Sequence, residues 1–139
     1  MTAPAVGWRK FYGVAATTGL DKHRERLAED ALFGAARQAK GVALVTVHRG
    51  LADIVGKVLH VTVDGGVLTV EGLVNPQALS RCGHGLSIGG RVLRSHWEFD
   101  REAGQVIRVI DEVALDHIAI CPHCDAANPQ TSIGLEEPA

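Results

Sequence analysis

The sequence predicts an α+β domain built mostly from β-structure, and three features of the chain carry that prediction. Several runs of apolar and β-branched residues are too short for helices, such as VALVTV at 42–47. The triplet Asp64-Gly65-Gly66 separates two further runs and is a hairpin signal. One stretch, 28–40, has the i, i+3, i+4 spacing of an amphipathic helix. A barrel or sandwich with one good helix and one short helix fits all three.

In the first half of the chain, the sequence predicts two strands and the longer helix. A loose arm at 1–7 precedes a strand at 8–17, and a charged loop follows at 21–27. The helix at 28–40 has acidic residues in its first turn and Gly41 as its stop signal. A buried strand is predicted next at 42–47, and His48 follows its last residue.

The second half predicts mainly strands. Strands at 56–63 and 67–73 flank the hairpin signal. Asn75 as N-cap and Pro76 at the first helical position start a short helix that ends near Gly83. Further strands are predicted at 91–99, 105–110 and 113–121, and the tail from Pro122 onward is predicted to be irregular.

Composition excludes several classes of function. The chain has 139 residues, which suits one domain, and a formal net charge of −2, which gives no basic surface for nucleic acid. No apolar run is long enough for a membrane span, and the N-terminus lacks a signal-peptide pattern. Three cysteines argue against a disulfide framework. We therefore expect a reduced, cytosolic domain with neither nucleic acid nor membrane as partner.

The segment CGHGLSIGG, residues 82–90, places four glycines around Ser87. Its G-x-S-x-G pattern matches the nucleophile elbow of α/β-hydrolases, which needs a helix directly behind the serine. Here the next residues, RVLRSHWEF, read as a strand, so we reject the elbow. The glycines instead predict close approach of another chain to the backbone around Ser87. A bulky residue at Gly85 or Gly89 is expected to damage the site more than the fold.

Two histidines can complete a catalytic set with Ser87. His48 ends a buried strand, where a side chain is both rigid and reachable. Strand alternation places His117 on one face with Val113, Leu115, Ala119 and Cys121, and Asp116 on the opposite face. Ser87 as nucleophile, His48 as base and His117 as the third, orienting group would suit acyl transfer. Each residue alone also has an ordinary structural explanation: a turn serine, a strand-end histidine and a core histidine.

Several segments in order resemble the prohead proteases of tailed phages and the related herpesvirus maturation protease, assemblin. VTVHRGLADIVGKVLHV resembles the stretch with the catalytic histidine, and GGVLTVEGLV the hairpin strand after it. HGLSIGGR resembles the nucleophile segment, and LDHIAIC the segment with the third member, a histidine in herpesviruses and usually a glutamate in phages. FYGVAATTGLDKHRERLAEDAL and AANPQTSI resemble the phage opening and ending. The resemblance covers residues 11–133.

The resemblance implies a serine endopeptidase with a triad of Ser87, His48 and His117. It implies a mostly antiparallel β-barrel of the herpesvirus-protease type with a few surrounding helices, no cofactor, and a homodimer. The substrates would be scaffold or capsid-protein segments, cut inside assembling procapsids in the host cytoplasm, and self-cleavage is common in the family. It divides the chain into a flexible arm at 1–10, a protease domain at 11–133 and a tail at 134–139.

One departure from the family pattern keeps two alternatives open. Herpesvirus relatives carry an arginine-rich turn at the oxyanion hole, whereas this chain reads CPHCDAAN there. Backbone N–H groups are one replacement, and a catalytically silent relative that binds scaffold or capsid protein is the first alternative. The second is a small zinc module on Cys121 and Cys124, with Cys82, His84 and His123 as possible further ligands, although a lone C-x-x-C pair is a weak signal.

Overall fold

The computed structural model describes residues 7–46, 50–122 and 126–136, and residues 50–52 by their backbone alone. Strands dominate these residues, and α1 and α2 are the helices among them. The elements in chain order are β1 (Arg9–Thr17), β2 (Glu25–Leu27), α1 (Glu29–Ala39), β3 (Ala43–Thr46), β4 (Gly50–Asp64), β5 (Val67–Val74), α2 (Pro76–Cys82), β6 (Gly85–Asp100), β7 (Gln105–Cys121) and β8 (Ser132–Leu135).

The strands form one mixed sheet that curls into a half-barrel. The hydrogen-bonded order is β2-β7-β3-β4-β5-β1-β8, and β6 pairs with β7 over nearly its whole length. The curl brings β8 back to the start of β6, where Ile133 N donates to His84 O at 3.0 Å. The expected mostly-β α+β fold is confirmed at this level. The sheet also contains two parallel pairs, β2 with β7 and β3 with β7.

The core lies inside the curl and under α1. Its largest fully buried side chains include Phe11, Leu32, Leu44, Leu68, Leu86, Ile118 and Ile120. Full burial of such a side chain contributes about 1.5–3 kcal/mol to folding, so this cluster is the main stabilising feature. Gln38 of α1 also ties the helix to β7, because its amide donates to Val113 O at 2.9 Å and accepts from Leu115 N at 2.8 Å.

Both predicted helices are confirmed. The long one spans Glu29–Ala39, and Gly41 follows it with φ +90°, a conformation that favours glycine. In the short one, Asn75 Oδ1 accepts from Gln77 N at 3.0 Å, as expected of an N-cap before Pro76. Neither helix has the length and apolar character needed to cross a membrane.

Five details of the sequence-based prediction are wrong, the first being that the strand expected at 56–63 begins six residues earlier, at Gly50. The charged loop contains the short strand β2, and the tail contains β8. The runs at 105–110 and 113–121 are one continuous strand, β7, and β6 begins at Gly85, inside the glycine-rich segment. Strands β2 and β8 are three and four residues long and are held by their pairing with β7 and β1. Such pairing depends on distant residues and leaves little local signal.

Candidate functional site

Ser87 and His117 lie on the same face of two neighbouring antiparallel strands. Ser87 of β6 is opposite Ala119 of β7, and Gly89 is opposite His117. Side chains two residues apart on a strand share a face, so Ser87 and His117 are diagonal neighbours, roughly 7–8 Å apart at the backbone. Leu86, Ile118 and Ile120 have the opposite parity and lie in the core. The sheet therefore presents Ser87 and His117 together on the side away from that core.

Gly89 makes the room that the His117 ring occupies. A Cβ built at position 89 would overlap Nε2 and Cε1 of the imidazole. The ring therefore lies against the β6 backbone, two residues along the strand from Ser87. The expectation for this segment was room for a substrate chain, which stays a prediction; the group that occupies the space at Gly89 is His117 of the neighbouring strand.

Asp116 is the extra residue of a β-bulge in β7. Gly89 pairs with His117 and Gly90 with Leu115, so Asp116 has no partner on β6. Gly90 has φ +152°, and a Cβ there would overlap the Ala114 carbonyl oxygen, so the bulge depends on this glycine.

The bulge overturns the alternation expected along β7. The Asp116 carboxylate contacts Nδ1 of His117, although sequence parity placed the two on opposite faces. Leu115 moves to the face opposite His117 for the same reason. The contact lacks hydrogen-bond alignment, and Nδ1 is buried. Asp116 is thus a site residue that parity excluded, and the double glycine at 89–90 is the sequence signal for the bulge that places it there.

The structure does not place the third candidate, because His48 lies outside the described residues. What it does place is the strand before it: β3 runs parallel to β7, with Ala43 opposite His117 and Thr46 opposite Ile120. Thr46 also pairs with Gly50 of β4. The Thr46 hydroxyl donates to Asp53 Oδ2 at 2.9 Å at this end of the strand.

A groove of about 230 Å³ runs beside Ser87. One wall is the stretch 86–92 of β6, and the other is formed by residues 15–27. Its floor includes buried Leu27, Leu86 and Val113, while Asp21 and Arg26 are among its polar lining residues. Apart from its pairing with β7, β6 has no strand partner among the described residues, so its other edge can accept a further strand beyond Leu86, whose N–H donates to Thr131 Oγ1.

The segment 126–133 clamps the start of β6. Thr131 Oγ1 accepts from Leu86 N at 3.2 Å and donates to Asn128 O at 3.0 Å. Asn128 Nδ2 in turn donates to Thr17 Oγ1 at 2.9 Å, and the Thr17 hydroxyl donates to Gln130 Oε1 at 2.8 Å. These bonds join β1, β6 and the segment before β8 at one end of the groove, one residue from Ser87.

The possible zinc ligands are only partly described. His123 and Cys124 lie outside the described residues. Cys121 is 1% exposed in β7, opposite Gly85, and Cys82 ends α2. Nδ1 of His84 lies 3.3 Å from Ile133 O. Within the described part of the chain, no three histidine, cysteine or carboxylate side chains lie close enough together to hold a metal.

Comparison with known proteins adds no identification. No protein-family model matches the sequence, and no curated protein matches it. The case for a function therefore rests on the chemistry and placement of the residues themselves.

Proposed function

We propose that this protein is a serine endopeptidase with Ser87 as nucleophile, His48 as general base and His117 as the third member of the triad. The observation that carries the proposal is the placement of Ser87 and His117 on one face of adjacent strands, with Gly89 opening space for the imidazole. A serine hydroxyl becomes a useful nucleophile only when a base takes its proton and a further group fixes that base.

The proposed reaction follows the serine-protease pattern. His48 takes the proton from Ser87 Oγ as the oxygen attacks the scissile carbonyl carbon, and a tetrahedral oxyanion forms. The imidazolium returns that proton to the leaving amine, which breaks the peptide bond and leaves an acyl ester on Ser87. Water, deprotonated by the same base, then hydrolyses the ester. A histidine third member supports the imidazolium less than a carboxylate does, so we expect slow turnover.

Asp116 acts in this proposal as a positioning residue for His117. A carboxylate beside Nδ1 favours the tautomer that carries its proton there, which leaves Nε2 as the nitrogen toward β6. The Asp116 side chain is 61% exposed, so solvent weakens its effect compared with that of a buried triad aspartate.

The groove suits an extended polypeptide. The unpaired edge of β6 offers backbone N–H and C=O groups to a substrate strand, and the apolar floor offers contacts for its alternate side chains. Backbone N–H groups would also have to bind the oxyanion, because no arginine stands at the family position. We propose scaffold or capsid-protein segments as substrates, cut within an assembling procapsid, on the strength of the family resemblance.

A second candidate function is a catalytically silent shell or scaffold-interaction domain. The observation that favours it is the exposure of large aromatic side chains on the β6–β7 hairpin, with Trp97 70% and Phe99 65% exposed. Such side chains mark interaction surfaces when they cluster. The two candidate functions differ in one respect: the endopeptidase requires an activated Ser87, and the silent interaction domain does not.

The deciding experiment is intact-mass analysis after incubation with a fluorophosphonate serine-hydrolase probe. Wild type should gain a single adduct, and Ser87→Ala and His48→Ala should gain none. His117→Ala should label more slowly. Ser80→Ala is the matched control, because Ser80 is an exposed serine on α2 and its loss should leave labelling unchanged. A kosmotropic salt should be included to favour association.

Failure of wild type to label at any protein concentration, with or without the salt, would reject the protease and leave the silent domain. An adduct that persists in Ser87→Ala would reject the assignment of the nucleophile. Labelling that survives in His48→Ala but vanishes in His117→Ala would make His117 the base and Asp116 its orienting group.

A further inference from the structure

The outer half of the β6–β7 hairpin is an arm whose far edge is open. Residues 91–99 of β6 are all exposed, and among the described residues their strand pairing is with β7 alone. On the other side of β7, the arm is completed by β2, paired from Glu25 to Leu27. A long exposed strand edge is a template for pairing with another chain, and monomeric proteins usually block it.

The segment Arg94–Asp100 divides cleanly into two faces. Its register with β7 is regular from Ser95 opposite Ile110 to Asp100 opposite Gln105. Trp97 and Phe99 therefore share one face, together with Val106 opposite Phe99, and all three are more than half exposed. The alternate residues, His96 and Glu98, lie on the other face, where His96 Nε2 contacts Glu98 Oε2 at 2.6 Å.

The charges of this segment are arranged with opposite signs about its centre. Arg94 and His96 precede Trp97, and Glu98 and Asp100 follow it. The pKa of His96 is raised by hydrogen bonds to Asp111 and Glu98, so this side chain favours the cationic form. A second copy of the same strand, running antiparallel, would therefore bring opposite charges together.

We propose that two copies of this chain pair edge to edge through β6, in antiparallel register with Trp97 opposite Trp97 of the second copy. Arg94 then faces Asp100 of the second copy, and His96 faces its Glu98. The pairing is two-fold symmetric, so each contact occurs twice, and β7-β6-β6-β7 becomes a continuous sheet. The aromatic side chains of the two copies lie together on one face of that sheet.

Shifted registers of the two β6 strands bring the same charged side chains into less favourable pairs. A shift that places His96 opposite itself creates a cation pair and keeps only the two Arg94–Glu98 pairs. A shift that places Glu98 opposite itself creates an anion pair and keeps only the two His96–Asp100 pairs. Like charges directly opposite each other destabilise a sheet, whereas opposite charges stabilise it. Charge complementarity thus favours a second copy as the partner and favours the Trp97-centred register, which has four attractive pairs and no repulsive one. The proposal is independent of the proposed protease activity.

Disulfide trapping tests the register directly. Directly opposed residues in an antiparallel pair have Cα atoms about 4.5–5.5 Å apart, within the roughly 4.4–6.8 Å that a disulfide needs. Trp97→Cys should therefore form a covalent dimer in a glutathione redox buffer. Ser95→Cys and Phe99→Cys should each stay monomeric alone and should form the mixed disulfide when combined, because they face each other in this register.

Val106→Cys is the matched control. Val106 is 55% exposed on the same face, but it lies on β7. In the proposed dimer it is three strand spacings from its copy and is also offset along the strands, so the two are more than about 14 Å apart, which no disulfide spans. The wild-type protein, with its natural cysteines, sets the background.

Sedimentation velocity measures the dimerisation of the protein without any introduced cysteine. Wild type should form a dimer as concentration rises, and Arg94→Asp, which places two acids opposite each other, should weaken it at least about tenfold in Kd. Wild type that remains a monomer overturns the proposal. Equal cross-linking of Val106→Cys and Trp97→Cys, or self-cross-linking of Ser95→Cys, also overturns it. Protection of Trp97 from oxidation only on addition of a different protein would assign the edge to that partner instead.

Discussion

The imidazole of His117 fills the space that a side chain at position 89 would need, so a glycine on β6 sets the position of a histidine on β7. The two residues are directly opposite each other in the sheet. Directly opposed side chains normally share that space between them. Gly89 has no side chain, so the His117 ring lies against the backbone of the strand that carries Ser87. The geometry of the candidate site therefore depends on the absence of one methyl group.

The first prediction concerns that methyl group. Gly89→Ala should displace the His117 ring and slow fluorophosphonate labelling of Ser87 by about 100-fold, because a displacement near 1 Å can cost that much in rate. The His117 ring resonances in NMR spectra should shift at the same time. Unchanged resonances would show that the ring does not depend on Gly89, whatever the labelling rate.

Gly34→Ala is the control for the Gly89 variant. Gly34 lies inside α1, and its added Cβ would meet Arg37 Nη2 at an ordinary 3.7 Å. This substitution should raise the free energy of unfolding by about 0.5–1 kcal/mol through helix propensity and leave labelling unchanged.

The second prediction separates positioning from structure at Asp116. Asp116→Asn should slow labelling by about 10- to 100-fold, less than the ~10⁴-fold loss reported for a buried triad aspartate, because solvent reaches this carboxylate. The ¹⁵N chemical shifts of the His117 ring should report a changed tautomer population, and thermal stability should not change. Glu112→Gln, an exposed carboxylate on the same strand, is the control. His117 ring ¹⁵N chemical shifts that Asp116→Asn leaves unchanged would contradict a role in tautomer choice.

The third prediction concerns the clamp beside Ser87. Thr131→Val removes the acceptor for Leu86 N and the donor to Asn128 O from a side chain that is 1% exposed. A buried group left without its partner costs about 1–3 kcal/mol, so the free energy of unfolding should fall by that amount in denaturant titrations. Thr62→Val, at an exposed position of β4, should change it by less than about 0.5 kcal/mol.

The fourth prediction concerns pH. Hydrogen bonds to Asp111 and Glu98, both at 2.6 Å, raise the pKa of His96 above its ordinary value of 6.5. Because the folded pKa is the higher one, the stabilisation is complete below pH 6.5 and is lost as pH rises through the folded pKa. NMR titration of His96 should show the raised pKa, and Asp111→Asn should lower it. A His96 pKa that Asp111→Asn leaves unchanged would contradict the assignment.

The local signals in the sequence were sufficient for most of the elements. Helical spacing identified α1, Asn75 and Pro76 identified α2, and Asp64-Gly65-Gly66 identified the β4–β5 hairpin. Each of these depends on residues close together in the chain. The same spacing could not identify β2 or β8, because three or four residues become a strand only when a distant strand pairs with them.

The residue types at the candidate site also came from the sequence, and their arrangement did not. Ser87, Gly89 and His117 stand out as a glycine-rich segment and a histidine on an apolar strand. Their shared face follows from the register of β6 on β7, a relation between residues thirty positions apart. The Asp116 bulge reversed the expected alternation, because one extra residue in one strand changes which side chains share a face. Local composition thus determined which elements form and which side chains carry reactive groups, whereas strand pairing alone decided which of those groups meet.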